Sequence, residues 1–289
     1  MMANLLKSAR LTLEAIKWEH SIFALPFALT GAVLAANGWP RWSVLLWIVV
    51  CMVSARSAAM AFNRLVDARL DAANPRTATR ALPAGKLSAE FVAAFVVVSS
   101  VTFVLGAAML NRLTLRLALP TLAILLAYSY MKRVTRWSHL VLGLALGIAP
   151  SAAWIAVRGS LDARIAVLSA AVLLWVGGFD VLYACQDFEH DRKAGLNSVP
   201  QAFGLDAAFW IARAMHLGMI CLLVWLVRLF ALGGQAWTGV AVVAVLLIYE
   251  HNIVSPRDLR RMNAAFFTLN GVISVLFFAF IAADVLLHK

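Results

Sequence analysis

Nine mostly apolar runs, each about as long as the ~20 residues a helix needs to cross a bilayer, follow one another along this chain. They cover about 20–37, 42–62, 89–109, 114–130, 138–157, 164–184, 207–230, 236–254 and 263–286. Runs this long and continuous satisfy their backbone polar groups in lipid as helices. They lack the alternation that marks the strands of a lipid-facing barrel. Charged residues make up 13% of the 289 positions, against roughly 25% in a soluble domain. The expected fold class is an all-α membrane protein, a nine-transmembrane-helix bundle forming a single integral-membrane domain over residues 1–289. In residues 1–19, Leu5, Leu6, Ala9, Leu13 and Ile16 recur near helical spacing among Lys7, Arg10, Glu14 and Lys17. That pattern predicts an amphipathic helix lying on the membrane surface rather than a cleavable signal.

The net charge of +11 could suggest a nucleic-acid partner until the basic residues are sorted by membrane side. Sixteen of them, from Lys7 to Arg261, fall in the N-terminal segment and the even-numbered loops, and seven on the other side. By the positive-inside rule the N-terminus is cytoplasmic and the C-terminus lies opposite. No basic soluble domain remains to bind nucleic acid, and no obligatory protein partner is evident. With no targeting segment read, a prokaryotic inner membrane is the expected location. Cys51, Cys185 and Cys221 are odd in number, far apart and mostly inside apolar runs, and suggest neither disulfides nor zinc.

The long charged connections at 63–88 and 185–206 fall on the cytoplasmic side, where long connections are more often functional than short ones. The first carries FNRLVDARLDAANPRTATR, with Asn63, Asp67 and Asp71 four residues apart. The second carries DVLYACQDFEHD, with Asp180, Tyr183, Asp187 and Asp191. On a helix a step of four returns to the same face, so each segment predicts a carboxylate-lined wall, at corresponding ends of the second and sixth spans. Asp180 lies inside its span, where an ionisable group is a functional candidate by default. Converging carboxylates repel one another and need cations. Hard oxygen donors favour Mg2+, which commonly shares its shell with substrate phosphates. Arg76, Arg80, Lys132 and Arg133 supply donors for phosphate. Together these residues describe a diphosphate site beneath an apolar bundle able to hold a long hydrocarbon. Arg56, within the second span, is expected to pair with an interior carboxylate. The six histidines show no ligand spacing and are assigned to packing, with His190 beside Asp191 as the one to watch.

At these residues the chain resembles the UbiA superfamily of intramembrane prenyltransferases. AFNRLVDARLDAANPRTATRALPAGKLS is similar to that family's first aspartate-rich motif and GFDVLYACQDFEHDRKAGLNSVPQAFG to its second, and the resemblance runs through nearly the whole chain. It implies a nine-helix bundle with a central cavity opening near the cytoplasmic face, Mg2+ held by the two motifs, and a polyprenyl diphosphate with its tail between helices and lipid. By position it implies that Asn63, Asp67 and Asp71 form one metal–diphosphate half-site and Asp187 and Asp191 the other, with Asp180 and Tyr183 completing that motif. Arg76, Arg80 and Lys132 match positions that contact diphosphate. Lys17, in KWEHSIFALPFAL, falls where many members carry Arg, and Ala81 stands where the common pattern has Pro. The segments look most like bacterial members of quinone biosynthesis that prenylate 4-hydroxybenzoate or, in the futalosine route to menaquinone, 1,4-dihydroxy-6-naphthoate. The resemblance therefore implies an aromatic acid acceptor.

Two other classes fit these residues less well. CDP-alcohol phosphotransferases carry a DGxxAR element, whereas Ala68 follows Asp67 here and the two clusters lie more than a hundred residues apart. A transporter with repeated halves calls for charges at the midplane, and these carboxylates gather at one face.

Overall fold

The computed structural model describes residues 24–262 and 268–287. The expected segment 1–19, including Lys17, lies outside the described residues. The helices are α1 (Leu25–Ala36), α2 (Trp42–Val66), α3 (Ala68–Ala73), α4 (Ala89–Leu110), α5 (Arg112–Ala127), α6 (Met131–Val134), α7 (Ser138–Arg158), α8 (Ile165–Ala184), α9 (Phe188–Ala194), α10 (Val199–Phe203), α11 (Leu205–Leu229), α12 (Gly234–Ile253) and α13 (Asn270–Leu287). Among the described residues there is no β-strand, only an isolated bridge between Ser255 and Asp258. Among the described residues eight helical stretches are long and apolar enough to cross a membrane, and α1, at 12 residues, falls in the ninth expected span.

Two expected boundaries move. The connections at 63–88 and 185–206 are not plain loops, because α3, α9 and α10 lie within them. Hydropathy marks where a helix leaves the apolar layer, whereas backbone hydrogen bonding continues as long as the residues tolerate it. The sixth crossing thus continues through a 3-10 turn, Cys185–Asp187, into α9, making one stretch Ile165–Ala194.

Packing divides the bundle into a solid half and a hollow half. In the solid half α8, α11, α12, α13 and α1 surround Phe27, Trp175, Met219, Leu223, Ile273 and Phe277, all buried. The Phe27 ring lies 4.9 Å from Trp175 and 5.6 Å from Phe277. Small residues permit the closest backbone approaches. Gly143 and Gly147, one turn apart on α7, face the Leu173 and Ser169 carbonyls of α8, and a Cβ at either would collide with backbone. Asn111 joins α4 to α5 and ties both to α7. Its Oδ1 accepts from Leu113 N (3.1 Å) and Thr114 N (2.9 Å), while its Nδ2 donates to the Ile155 (2.8 Å) and Ala156 (3.2 Å) carbonyls.

Candidate active site

At the end of the bundle where α2 gives way to α3 and α8 to α9, two walls of aspartates face one cavity of about 240 Å³. Asp67 N donates to Asn63 O (2.9 Å) and Asp71 N to Asp67 O (2.7 Å), so the helical register carries across the α2–α3 joint. Asn63, Asp67 and Asp71 therefore keep one face, as their spacing predicts. Across the cavity stand Asp180 and Tyr183 from α8, then Asp187 and Asp191. Of the twelve residues that the sequence marks for this site, ten line this cavity: Asn63, Asp67, Asp71, Arg76, Arg80, Lys132, Asp180, Tyr183, Asp187 and Asp191. Arg133 is not in its lining and instead holds Asp67. Lys17 is the twelfth and lies outside the described residues.

Most of these carboxylates are held by cations. Arg80 Nη1 donates to both oxygens of Asp71, at 2.7 and 2.8 Å, with Arg64 Nη1 at 3.8 Å. Arg133 Nη2 donates to Asp67 Oδ1 (2.8 Å) and to the Val66 carbonyl (3.1 Å), while Asn63 Nδ2 donates to Asp67 Oδ2 (2.9 Å). Arg76 reaches from the first motif to the second. Its Nε donates to Asp187 Oδ1 (2.8 Å) and its Nη2 to Oδ2 (2.5 Å), the bidentate fork that suits a carboxylate or a phosphate equally. Asn74 Nδ2 adds a contact to Asp187 at 3.3 Å. Burial lowers the Arg76 pKa, but the hydrogen bonds and charge of Asp187 outweigh it, and the guanidinium is held above its usual value. Lys132 lies within electrostatic reach of Asp191, Asp180, Asp187 and Asp67.

Asp191 differs from these. It is 2% exposed, and its Oδ2 is buried without a hydrogen-bond partner among the described residues. An unsatisfied buried carboxylate oxygen is costly, so it marks a place for a cation or donor. Among the described residues no three His, Cys, Asp or Glu side chains converge closely enough to hold a metal unaided. The donor set is one of hard oxygens split between two walls, so it fits a divalent cation that also takes oxygens from a bound phosphate.

Beyond the polar cavity lies a second of about 600 Å³, lined mainly by apolar residues of α2, α5, α7 and α8. The two share Arg56, Met60, Asn63, Tyr128, Leu142 and Leu146, so one space changes from charged to apolar along its length. Arg56 corrects the sequence expectation. It pairs with no carboxylate among the described residues, and its Nε is buried without a partner. The charge that acts on it is the like-charged Arg64, while Asp67 and Asp71 stand about three and four helical turns beyond it. His139 departs from a packing role as well. Its Nδ1 lies 2.7 Å from Asp180 Oδ2, and its Nε2 accepts from Val199 N at 3.2 Å. Arg64, Asn74, Tyr128 and His139 thus join the site unannounced. Arg64 and Asn74 lie within the first motif and Tyr128 one turn from Lys132 in YSYMKR, whereas His139 had no local signal.

Residues 24–280 match the family described as the UbiA prenyltransferase family. A 4-hydroxybenzoate octaprenyltransferase of Aliivibrio fischeri is 33% identical over 269 residues, covering 92% of this chain and 93% of its own length. One from Vibrio parahaemolyticus is 32% identical over 241 residues, covering 83% and 84%. Among solved structures, a UbiA homolog from Aeropyrum pernix K1 superimposes with a TM-score of 0.85 at 33% identity, covering 93% of this chain and 98% of its own. A UbiA homolog from Archaeoglobus fulgidus bound to DMAPP and Mg2+ shares the fold with a TM-score of 0.76 at 18% identity, covering 96% and 99%.

Proposed function

This chain belongs to the UbiA prenyltransferase family, and on that premise we propose that it transfers a polyprenyl group from polyprenyl diphosphate to the ring of a 4-hydroxybenzoate-type acid, with Mg2+, in quinone biosynthesis. The observation that carries the reading is the single space that runs from five aspartates and five basic side chains into an apolar cavity of about 600 Å³. The charged end suits a diphosphate, the apolar part the first units of a prenyl chain, and the junction an aromatic ring.

The charge balance supports a metal. Asp67, Asp71, Asp180, Asp187 and Asp191 face Arg56, Arg64, Arg76, Arg80 and Lys132, so the lining is formally near neutral. A diphosphate would therefore bring its negative charge uncompensated. Asp67, Asp71, Asp187 and Asp191 are the residues that would hold Mg2+, which when bound neutralises charge on the departing diphosphate. Arg76 and Arg80 would exchange a carboxylate for a phosphate oxygen, both of which accept the same fork. Lys132 places a further charge at the centre. The apolar walls exclude water from the allylic cation left when the C–O bond breaks. Arg56, at the junction and with its buried Nε unpartnered among the described residues, favours an acceptor that carries a carboxylate.

The single domain spans 1–289 in this reading, the protein sits many-pass in a prokaryotic inner membrane, and the N-terminus and the site face the cytoplasm. The test is purified protein in detergent with polyprenyl diphosphate, Mg2+ and a panel that includes 4-hydroxybenzoate and 1,4-dihydroxy-6-naphthoate, read by product mass and diphosphate release. A C-prenylated acid is expected. Asp67→Asn and Asp187→Asn are each expected to slow diphosphate release by about a hundredfold or more, and EDTA to abolish it until Mg2+ is restored. No product across the panel, or undiminished release in both variants, would overturn the reading.

A further inference from the structure

Prenylation of a ring ends with loss of a ring proton, and the carboxylates of the site are not equally free to receive it. Asp71 is engaged by Arg80 on both oxygens, Asp187 by Arg76 on both, and Asp67 by Arg133 and Asn63. Asp191 lies just over three helical turns beyond Asp180, toward the outer end of the α8–α9 stretch. Asp180 is held differently. Its Oδ2 meets His139 at 2.7 Å, while its Oδ1 has no hydrogen-bond partner among the described residues and the side chain keeps 15% exposure beside the cavity.

The hydrogen bonds around His139 fix its tautomer. Val199 N–H donates to Nε2, which must therefore carry a lone pair, so the proton sits on Nδ1 and is donated to Asp180. His139 is 1% exposed, and a buried ring bound at both nitrogens cannot swing away. It orients one carboxylate oxygen and leaves the other open. The depth is right for the chemistry. Asp180 precedes Asp187 by seven residues on one helical stretch, about 10 Å deeper along the axis. Arg56 likewise precedes Asn63 by seven on α2. With the diphosphate at the outer aspartates, its allylic carbon and the attacking ring fall at the level of Arg56 and Asp180.

We propose that Asp180, oriented by the Asp180–His139–Val199 hydrogen-bond chain, is the catalytic base that takes the proton from the prenylated ring. This rests on the prenyl-transfer reading. The allylic C–O bond breaks with its electron pair leaving on diphosphate. A ring π pair then forms the C–C bond. The C–H bond at the same ring carbon breaks, its proton goes to Asp180 Oδ1 and its electron pair restores aromaticity. The proton leaves with the released diphosphate. A cationic ring of this kind is so strong an acid that an ordinary carboxylate suffices, and placement decides which base acts. His139 is a positioning residue, since it touches Asp180 and not the ring.

The experiment measures transfer by the full-length protein with a 4-hydroxybenzoate carrying deuterium at the positions that flank the hydroxyl, compared with the unlabelled acid. In the unaltered protein the isotope effect is expected near unity, because ionisation of the donor is slow and proton loss fast. In Asp180→Asn it is expected to rise well above unity, with transfer slowed by about a hundredfold or more. His139→Leu and His139→Asn carry the test if Asp180→Asn does not fold. Both remove the acceptor for Val199 N–H, but Asn can keep an N–H aimed at Asp180. A positioning role therefore gives a raised isotope effect in His139→Leu and a near-unity one in His139→Asn, whereas a merely structural role leaves both near unity. If the unaltered protein makes product while Asp180→Asn and His139→Leu keep near-unity effects, the base is another group, such as a diphosphate oxygen, and the proposal falls. If the unaltered protein makes no product, the prenyl-transfer reading has failed instead.

Discussion

Arg56 stands where the lining of the site passes from charged to apolar, and its buried Nε has no partner among the described residues. A guanidinium left this way keeps most of its capacity for a bidentate anion. A hydrogen bond to a charged group contributes about 1.5–3 kcal/mol, which converts to roughly a tenfold to hundredfold change in affinity. Arg56→Ala is therefore expected to raise the KM for a carboxylated acceptor by about tenfold or more. The matched phenol without its carboxylate should show little change, and steady-state kinetics with both acceptors checks the difference. Single residues also mark the limit of what the sequence made legible. Asn63, Asp67 and Asp71 were readable because their period matches the helix. His139 was not, because a lone histidine at the start of an apolar run has no spacing to read. Its partners stand 41 and 60 positions away.

Among the elements, the α7–α8 pair forms one side of the site, since α7 supplies His139 and α8 supplies Asp180. Their separation depends on Gly143 and Gly147, which lie against α8 backbone that cannot move aside cheaply. Gly143→Ala is expected to cost about 1–3 kcal/mol by overpacking, and the unfolding temperature in detergent should fall. Activity should fall with it, because the same displacement separates His139 from Asp180. The glycine spacing is visible in GLALG, but the sequence does not say which helix it meets. The helical ends show the opposite case. The α2–α3 joint and the 3-10 turn before α9 carry the site residues past the apolar runs, and hydropathy alone drew those segments as loops.

For the whole molecule, the ends of the helices that hold the site also carry most of the basic residues, so orientation and chemistry are linked. In a variant with Cys51, Cys185 and Cys221 replaced by alanine, Ser160→Cys is expected to react with an impermeant maleimide in intact cells. Arg260→Cys should react only after permeabilisation, since it belongs to the connection placed inside; both positions are exposed. The reverse pattern would invert the assigned topology. The sequence by itself determined the helical membrane class, the sites of the two motifs and the residue types gathered there. Hydropathy and helical period are local quantities, written over 4 to 20 neighbouring positions. Tertiary structure alone decided which groups meet. Arg76 joins Asp187 across 111 positions, Asp180 is singled out by His139, and Arg56 is left facing a cavity. Such contacts depend on how helices pack and tilt against one another, and packing is set by shape along the whole bundle rather than by any short stretch of chain.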